Sequence, residues 1–106
     1  MRNKLRRFEI LLPLQFNDGR EVPGNLIADT INELEAEYGA VSSETQIIQG
    51  IWRNEGELYR DNLMRVTVDA EDITASFAFF AALKERLKQR FDQLEIWITT
   101  HPIESI

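Results

Sequence analysis

An α+β fold in the order strand, helix, strand, strand, helix, strand is expected of this chain, and three observations carry that expectation. Apolar and polar residues alternate over Phe8–Phe16, Thr45–Asn54, Leu58–Asp69 and Leu94–Thr100, the two-residue period of strands. Apolar residues recur at three- and four-residue spacing between Pro23 and Gly39 and again from Ile73 to Phe91, the period of helices. Turn-forming residues fall between these segments, and 106 residues suit a single domain with one core.

In the first strand Phe8, Ile10, Leu12, Leu14 and Phe16 form one apolar face. Pro13 has no N–H for a ladder, so a bulge, an edge position or an unpaired stretch is expected there. Asn17-Asp18-Gly19 then supplies a turn. Pro23 suits the first turn of a helix carrying Leu26, Ile27, Ile31, Leu34 and Tyr38, and Gly39 is placed to end it. Its other face holds Asp29, Glu33, Glu35 and Glu37 and no basic residue, which reads as a hydrated acidic surface.

The next two strands are joined through Asn54-Glu55-Gly56-Glu57 and should pair antiparallel. In the later one Leu58, Met64, Val66 and Val68 share one face, and Tyr59, Asp61, Leu63, Arg65 and Thr67 the other. The earlier one leaves its register open, with Ile47 and Ile51 on one parity, Ile48 and Trp52 on the other, and Gly50 marking a candidate bulge. Glu71 and Asp72 lie at the start of the second helix and Lys84, Arg86, Lys88 and Arg90 in its second half, the distribution the helix dipole favours. The last strand carries Leu94, Ile96, Ile98 and Thr100 and should end at His101-Pro102. The expected core is Phe8, Ile10, Leu12, Leu14, Leu26, Ile31, Leu34, Val66, Val68, Phe77, Phe80, Leu87, Phe91, Ile96 and Ile98.

Two strand-helix-strand halves joined by a hairpin close most simply into the ferredoxin-like arrangement, a four-stranded antiparallel sheet with both helices on one face. The uncovered face then receives Leu11, Pro13, Tyr59, Leu63 and Trp97, with Trp52 or Ile48. An apolar surface of that size calls for a partner, so a homodimer is expected through Leu11, Leu63 and Trp97, with Arg65 at the rim.

The run from Gly50 to Val68, followed by Asp69 and a helix ending Leu-Lys-Gln-Arg-Phe, resembles a family of small uncharacterised bacterial proteins. Gly50, Trp52, Tyr59, Arg60 and Gln89 to Phe91 carry the resemblance, which implies the ferredoxin-like fold and no particular activity.

Function is bounded mainly by exclusion. With no cysteine the chain has no disulfide, no thiolate nucleophile and no cysteine-built metal site, which fits a reducing, cytoplasmic setting. A net charge of -6 opposes nucleic acid and anionic lipid, despite the basic lead-in Arg2, Lys4, Arg6 and Arg7. Tyr59, Trp97 and Arg65 imitate the exposed aromatics of an RNA-recognition sheet, but the acidic first helix argues against that role. The apolar run after the lead-in is too short and too mixed for a signal peptide or membrane span. No phosphate-binding, dinucleotide-binding or zinc motif is present, so neither metal nor cofactor is expected and no catalytic residue is assigned. Arg53, Tyr59, Arg60, Asn62 and His101 are the candidate ligand-binding residues, on the reasoning that enzymes of this architecture often use the space between sheet and helices; no ligand is specified. His101, the single histidine, is the one side chain with an unperturbed pKa near neutrality. The expected function is a non-catalytic binding or assembly module acting as a homo-oligomer. The alternative is a small-molecule enzyme, either cofactor-free oxygenase-like or acylphosphatase-like, the latter using Arg20 and Asn54.

Overall fold

The alternation of Phe8, Ile10 and Leu12 produces the central strand of the sheet in the computed structural model, which describes residues 4–106. This strand, β1 (Leu5–Pro13), runs antiparallel between β4 (Glu57–Glu71) and β5 (Trp97–Ile103). The far side of β4 is shared by β3 (Ile48–Asn54) along its first half and by a two-residue strand, β2 (Ser42–Ser43), opposite Thr67 and Val66. Helices α1 (Gly24–Tyr38) and α2 (Thr74–Arg90) cover one face, giving the ferredoxin-like α+β fold with five strands where four were expected. No helix among the described residues is long and apolar enough to cross a membrane.

Several boundaries move for local reasons. β1 starts at Leu5 and stops at Pro13, opposite Leu63, so the missing donor sits at the strand's last position. Beyond it Leu14 N–H reaches Asn62 O, and Gly19 N–H closes the turn onto Phe16 O at 2.9 Å. Pro23 is the residue before α1 rather than its first turn, and Gly39 ends the helix in the left-handed conformation with its N–H on Glu35 O. The β3–β4 hairpin is tighter than expected. Glu55 and Gly56 both take positive φ, 50° and 83°, the signature of a two-residue turn matched to strand twist. Pairing runs unbroken from Ile48↔Leu63 to Asn54↔Glu57, so Gly50 is not a bulge. Asp69 to Glu71 belong to β4, and β5 begins at Trp97 and continues through His101-Pro102. A proline is tolerated there because β5 is an edge strand, with one flank unpaired.

Between sheet and helices, Phe8, Ile10, Leu12, Val66 and Val68 meet Leu34 of α1 and Phe80, Leu83 and Leu87 of α2, with Phe91 following. Phe80 lies flat on Phe8 at 4.0 Å and against Tyr38 at 5.5 Å, tying both helices to β1. Leu26, Ile31 and Ile98 pack partly buried on this cluster, whereas Val22, Ala70 and Leu83 join it without having been in the expected core. Two expected core residues do not: Leu14 is half-buried beyond the strand end, and Phe77 is 43% exposed. The burial of α2 centres on Ser76, Phe80, Leu83 and Leu87, so Phe77 sits at its margin, edge-on to Phe8 with the Arg6 guanidinium over its ring. Of the basic lead-in, Arg2 lies outside the described residues, while Arg6 and Arg7 pair with Asp72 and Asp69.

Glu33 corrects the reading of α1 as carrying a purely hydrated acidic face. Its carboxylate accepts hydrogen bonds from Arg86 and Arg90 of α2, and Arg90 also donates to the buried Thr30 hydroxyl at 2.9 Å. Partial burial pushes the Glu33 carboxyl up, but the two guanidiniums outweigh it and hold the group below its ordinary range. A carboxyl depressed by folding contributes stability above its unfolded pKa and loses that contribution as pH falls through the folded one. Thermal melts should therefore show a Tm that falls below about pH 4.5, with a shallower fall in Glu33→Gln. Identical slopes in the two proteins would remove the bridge from the acid response.

Candidate functional surface

Each residue directly opposite another in an antiparallel ladder shares its face, so the register places the helix-free surface without ambiguity. Leu11 stands between Arg65 and Trp97, Pro13 faces Leu63, Leu63 faces Ile48, Gly50 faces Asp61, and Trp52 faces Tyr59. All the residues expected on the open face lie there, including both Trp52 and Ile48.

This surface has two chemically distinct ends. At one end Arg7 donates two hydrogen bonds to Asp69, at 2.8 and 3.0 Å, with His101 opposite Arg7 on β5. The Arg7 hydrogen bonds hold the Asp69 carboxyl below its usual range against some burial, and His101 adds to that. Arg65 bonds Glu44 through Nη1, while its solvent-sealed Nε lies 3.9 Å from Glu9, an electrostatic contact beyond hydrogen-bond length. These charges are largely satisfied within the chain.

The other end is apolar and concave. A cleft of about 270 Å³ opens there, walled by Leu11, Pro13, Leu63, Trp97, Trp52 and Asp61, with Gly50 at its floor. Trp97 is 61% exposed. Trp52 stacks on Tyr59 at 4.5 Å and donates its indole N–H to Asp61 Oδ2 at 2.6 Å, which fixes both the indole and the carboxylate. A Cβ at position 50 would come within 3.0 Å of Leu63 Cδ1, so a side chain there would intrude on the cleft. Glu95 also borders it but is held by Lys84 at 2.9 Å and by Ile96 N–H, and the Lys84 hydrogen bond draws its carboxyl below the ordinary range.

The five candidate ligand-binding residues do not converge. Arg53, Arg60 and Asn62 share the opposite face of the β3–β4 hairpin, which projects past the helices and leaves Ile51 and Leu58 exposed beside them. Tyr59 is on the open face, stacked on Trp52, and His101 stands four residues along β5 from Trp97, about 13 Å away by strand geometry. Arg20 is engaged by Asp18 and lies over Phe16, and Asn54 is at the hairpin tip. Asp61 and Gly50, by contrast, were not singled out as site residues, although the parity of Asp61 with Leu63 placed it on this face. Among the described residues no group of three or more His, Cys, Asp or Glu is arranged to hold a metal ion.

No family model matches the chain, and no curated protein matches it in sequence. Solved structures do match in three dimensions. A phage SAM lyase in complex with S-methyl-5'-thioadenosine aligns over 99% of this chain and 93% of its own, with a TM-score of 0.68 at 15% identity. The divalent cation tolerance protein CutA1 of Thermus thermophilus aligns over 95% of this chain and 85% of its own, with a TM-score of 0.64 at 20% identity. CutA1 of Oryza sativa aligns over 97% and 83%, with a TM-score of 0.65 at 12% identity. At these identities the likeness establishes a common fold across nearly the whole chain.

Proposed function

We propose that the protein is a non-catalytic, single-domain binding and assembly module that pairs with a second copy of itself through the helix-free face of its sheet. The observation that supports this reading is the exposed Trp97 at one end of that face, in a cleft it shares with the half-buried Leu11 and Leu63. A two-fold pairing buries the same apolar surface on both copies, and the satisfied Arg7–Asp69 and Arg65–Glu44 pairs supply a polar rim. The resemblance of Gly50 to Phe91 to small uncharacterised bacterial proteins fits a cytoplasmic module of this kind. The enzyme reading has less support, because His101 stands at the charged end of the sheet and the residues expected in a sheet-helix cavity are divided between two faces. Lyase or ion-tolerance roles, named for the structural neighbours, have no residue-level support here. Sedimentation at micromolar concentration tests the assembly: a mass twice that of the 12.3 kDa chain is expected, and a monomer overturns it.

A further inference from the structure

We infer that the projecting β3–β4 hairpin captures an extended, acidic segment of another protein, which adds to the free edge of β3 as a further strand. The inference uses the hairpin face opposite Trp52 and Tyr59, and it does not depend on the pairing of open sheet faces.

The backbone supplies the edge. A two-residue turn makes Asn54 and Glu57 a hydrogen-bonded pair, and alternation along the ladder then turns the N–H and C=O groups of Gln49, Ile51 and Arg53 away from β4. β3 pairs with β4 alone, so those groups are open to an added strand. Asn62 has the phase this requires: it stands across from Gln49, and its carbonyl points out of the hairpin to accept Leu14 N–H at 2.9 Å.

The side chains set the chemistry of the partner. Gln49, Ile51 and Arg53 share a face with Leu58, Arg60 and Asn62, which gives two arginines and no acid in a chain of net charge -6. Ile51 is 65% exposed and stands opposite Arg60; Leu58 is 47% exposed and stands opposite Arg53. Among the described residues Arg6, Arg7, Arg20, Arg65, Arg86 and Arg90 all have carboxylate partners. Arg53 reaches only Gly56 O, at 3.2 Å, and Arg60 has neither hydrogen bond nor ion pair among those residues. The two arginines without an acid therefore lie together, beside exposed apolar side chains and an open strand edge.

A second copy does not supply the complement. Its other free-flanked strand, β5, has no acidic residue from Trp97 to Ile103 and no donor at Pro102, while the exposed Asp29, Glu35 and Glu37 sit on a helix. Glu55 and Glu57 at the hairpin tip oppose a polyanion such as nucleic acid. An acidic strand with apolar residues between its carboxylates meets both the edge and the face.

Fluorescence anisotropy of a fluorescein-labelled peptide of Glu-Thr-Val-Thr repeats, about eight residues long, tests this against peptides with Gln or Lys in place of Glu. At low salt the acidic peptide should bind saturably and at least about fivefold more tightly than the Gln peptide, with the Lys peptide weaker still. In the Arg53→Gln/Arg60→Gln variant, whose changes are on exposed side chains, the Glu and Gln peptides should come within about twofold of each other. N-methylation of the Glu and Val residues removes the donors that an antiparallel neighbour of Ile51 and Arg53 must supply, and should abolish binding. Equal affinities for the Glu and Gln peptides, an unchanged preference in the double variant, undiminished binding of the N-methylated peptide, or no saturation below about 1 mM would overturn the site. A wild-type oligomer that Leu58→Glu dissociates without peptide would also overturn it, giving the hairpin to another copy of the chain. A monomer that keeps the preference supports the site and fails the proposed pairing alone.

Discussion

Phe80→Ala is expected to destabilise the fold by about 3–5 kcal/mol, a large share of the roughly 5–15 kcal/mol available to a domain of this kind. The ring is 3% exposed and lies between Phe8 on the central strand and Tyr38 on α1, so its loss leaves a void bordered by the sheet and both helices. None of these neighbours can collapse into the void without leaving its own element. Phe77 provides the internal comparison: three residues earlier on the same helix but 43% exposed, it should cost about 1 kcal/mol or less when truncated. Urea unfolding of the two variants distinguishes them. A Phe80→Ala midpoint close to that of Phe77→Ala would mean that α2 faces the sheet differently.

That contrast shows where reading a sequence by period reaches its limit. The spacing of Ile73, Phe77, Phe80, Leu83, Leu87 and Phe91 identifies a helix and its apolar side, but the width of the buried arc depends on what lies beneath it. Here the arc is shifted toward Ser76, which is buried, and away from Phe77. Strand faces were more legible, because a two-residue period leaves only two choices and Leu63 and Trp97 fall opposite Val66 and Ile98 on either strand. The β3–β4 register was implicit in the hairpin: a two-residue loop at Glu55-Gly56 pairs Asn54 with Glu57, and every later pair follows, Trp52 with Tyr59 and Gly50 with Asp61 included. Two features had no local signal. Ser42–Ser43 is a strand only because β4 offers it an edge, and the bridge from Glu33 to Arg86 spans 53 residues of chain.

The candidate site follows the same logic. Arg53, Arg60 and Asn62 were attractive as polar groups on a hairpin, but consecutive parity sends them away from Tyr59 to the far face of the projecting strands. The apolar side of the surface was legible residue by residue. The hydrogen bond from Trp52 to Asp61 was not, since it depends on the register that sets Gly50 across the ladder from Asp61.

Trp97→Glu is expected to convert the proposed dimer to monomer while leaving the monomer's own stability nearly unchanged. The side chain is 61% exposed, so the folded chain loses little packing when it is replaced, a change of order 0.5 kcal/mol. In a two-fold interface the same position would be buried on both copies at once, next to Leu11 across the ladder. Truncating a central aromatic anchor typically weakens association by about 2 kcal/mol or more, roughly 30-fold, and a buried unpaired carboxylate adds its desolvation cost twice over. Leu58→Glu is the matched control, because Leu58 is also exposed but projects from the opposite face of the hairpin and does not line the cleft. Sedimentation should show dissociation for Trp97→Glu alone, with thermal melts of both variants confirming that each still folds. If both variants dissociate, the hairpin and not the sheet face forms the contact; if neither does, the open face is not the interface.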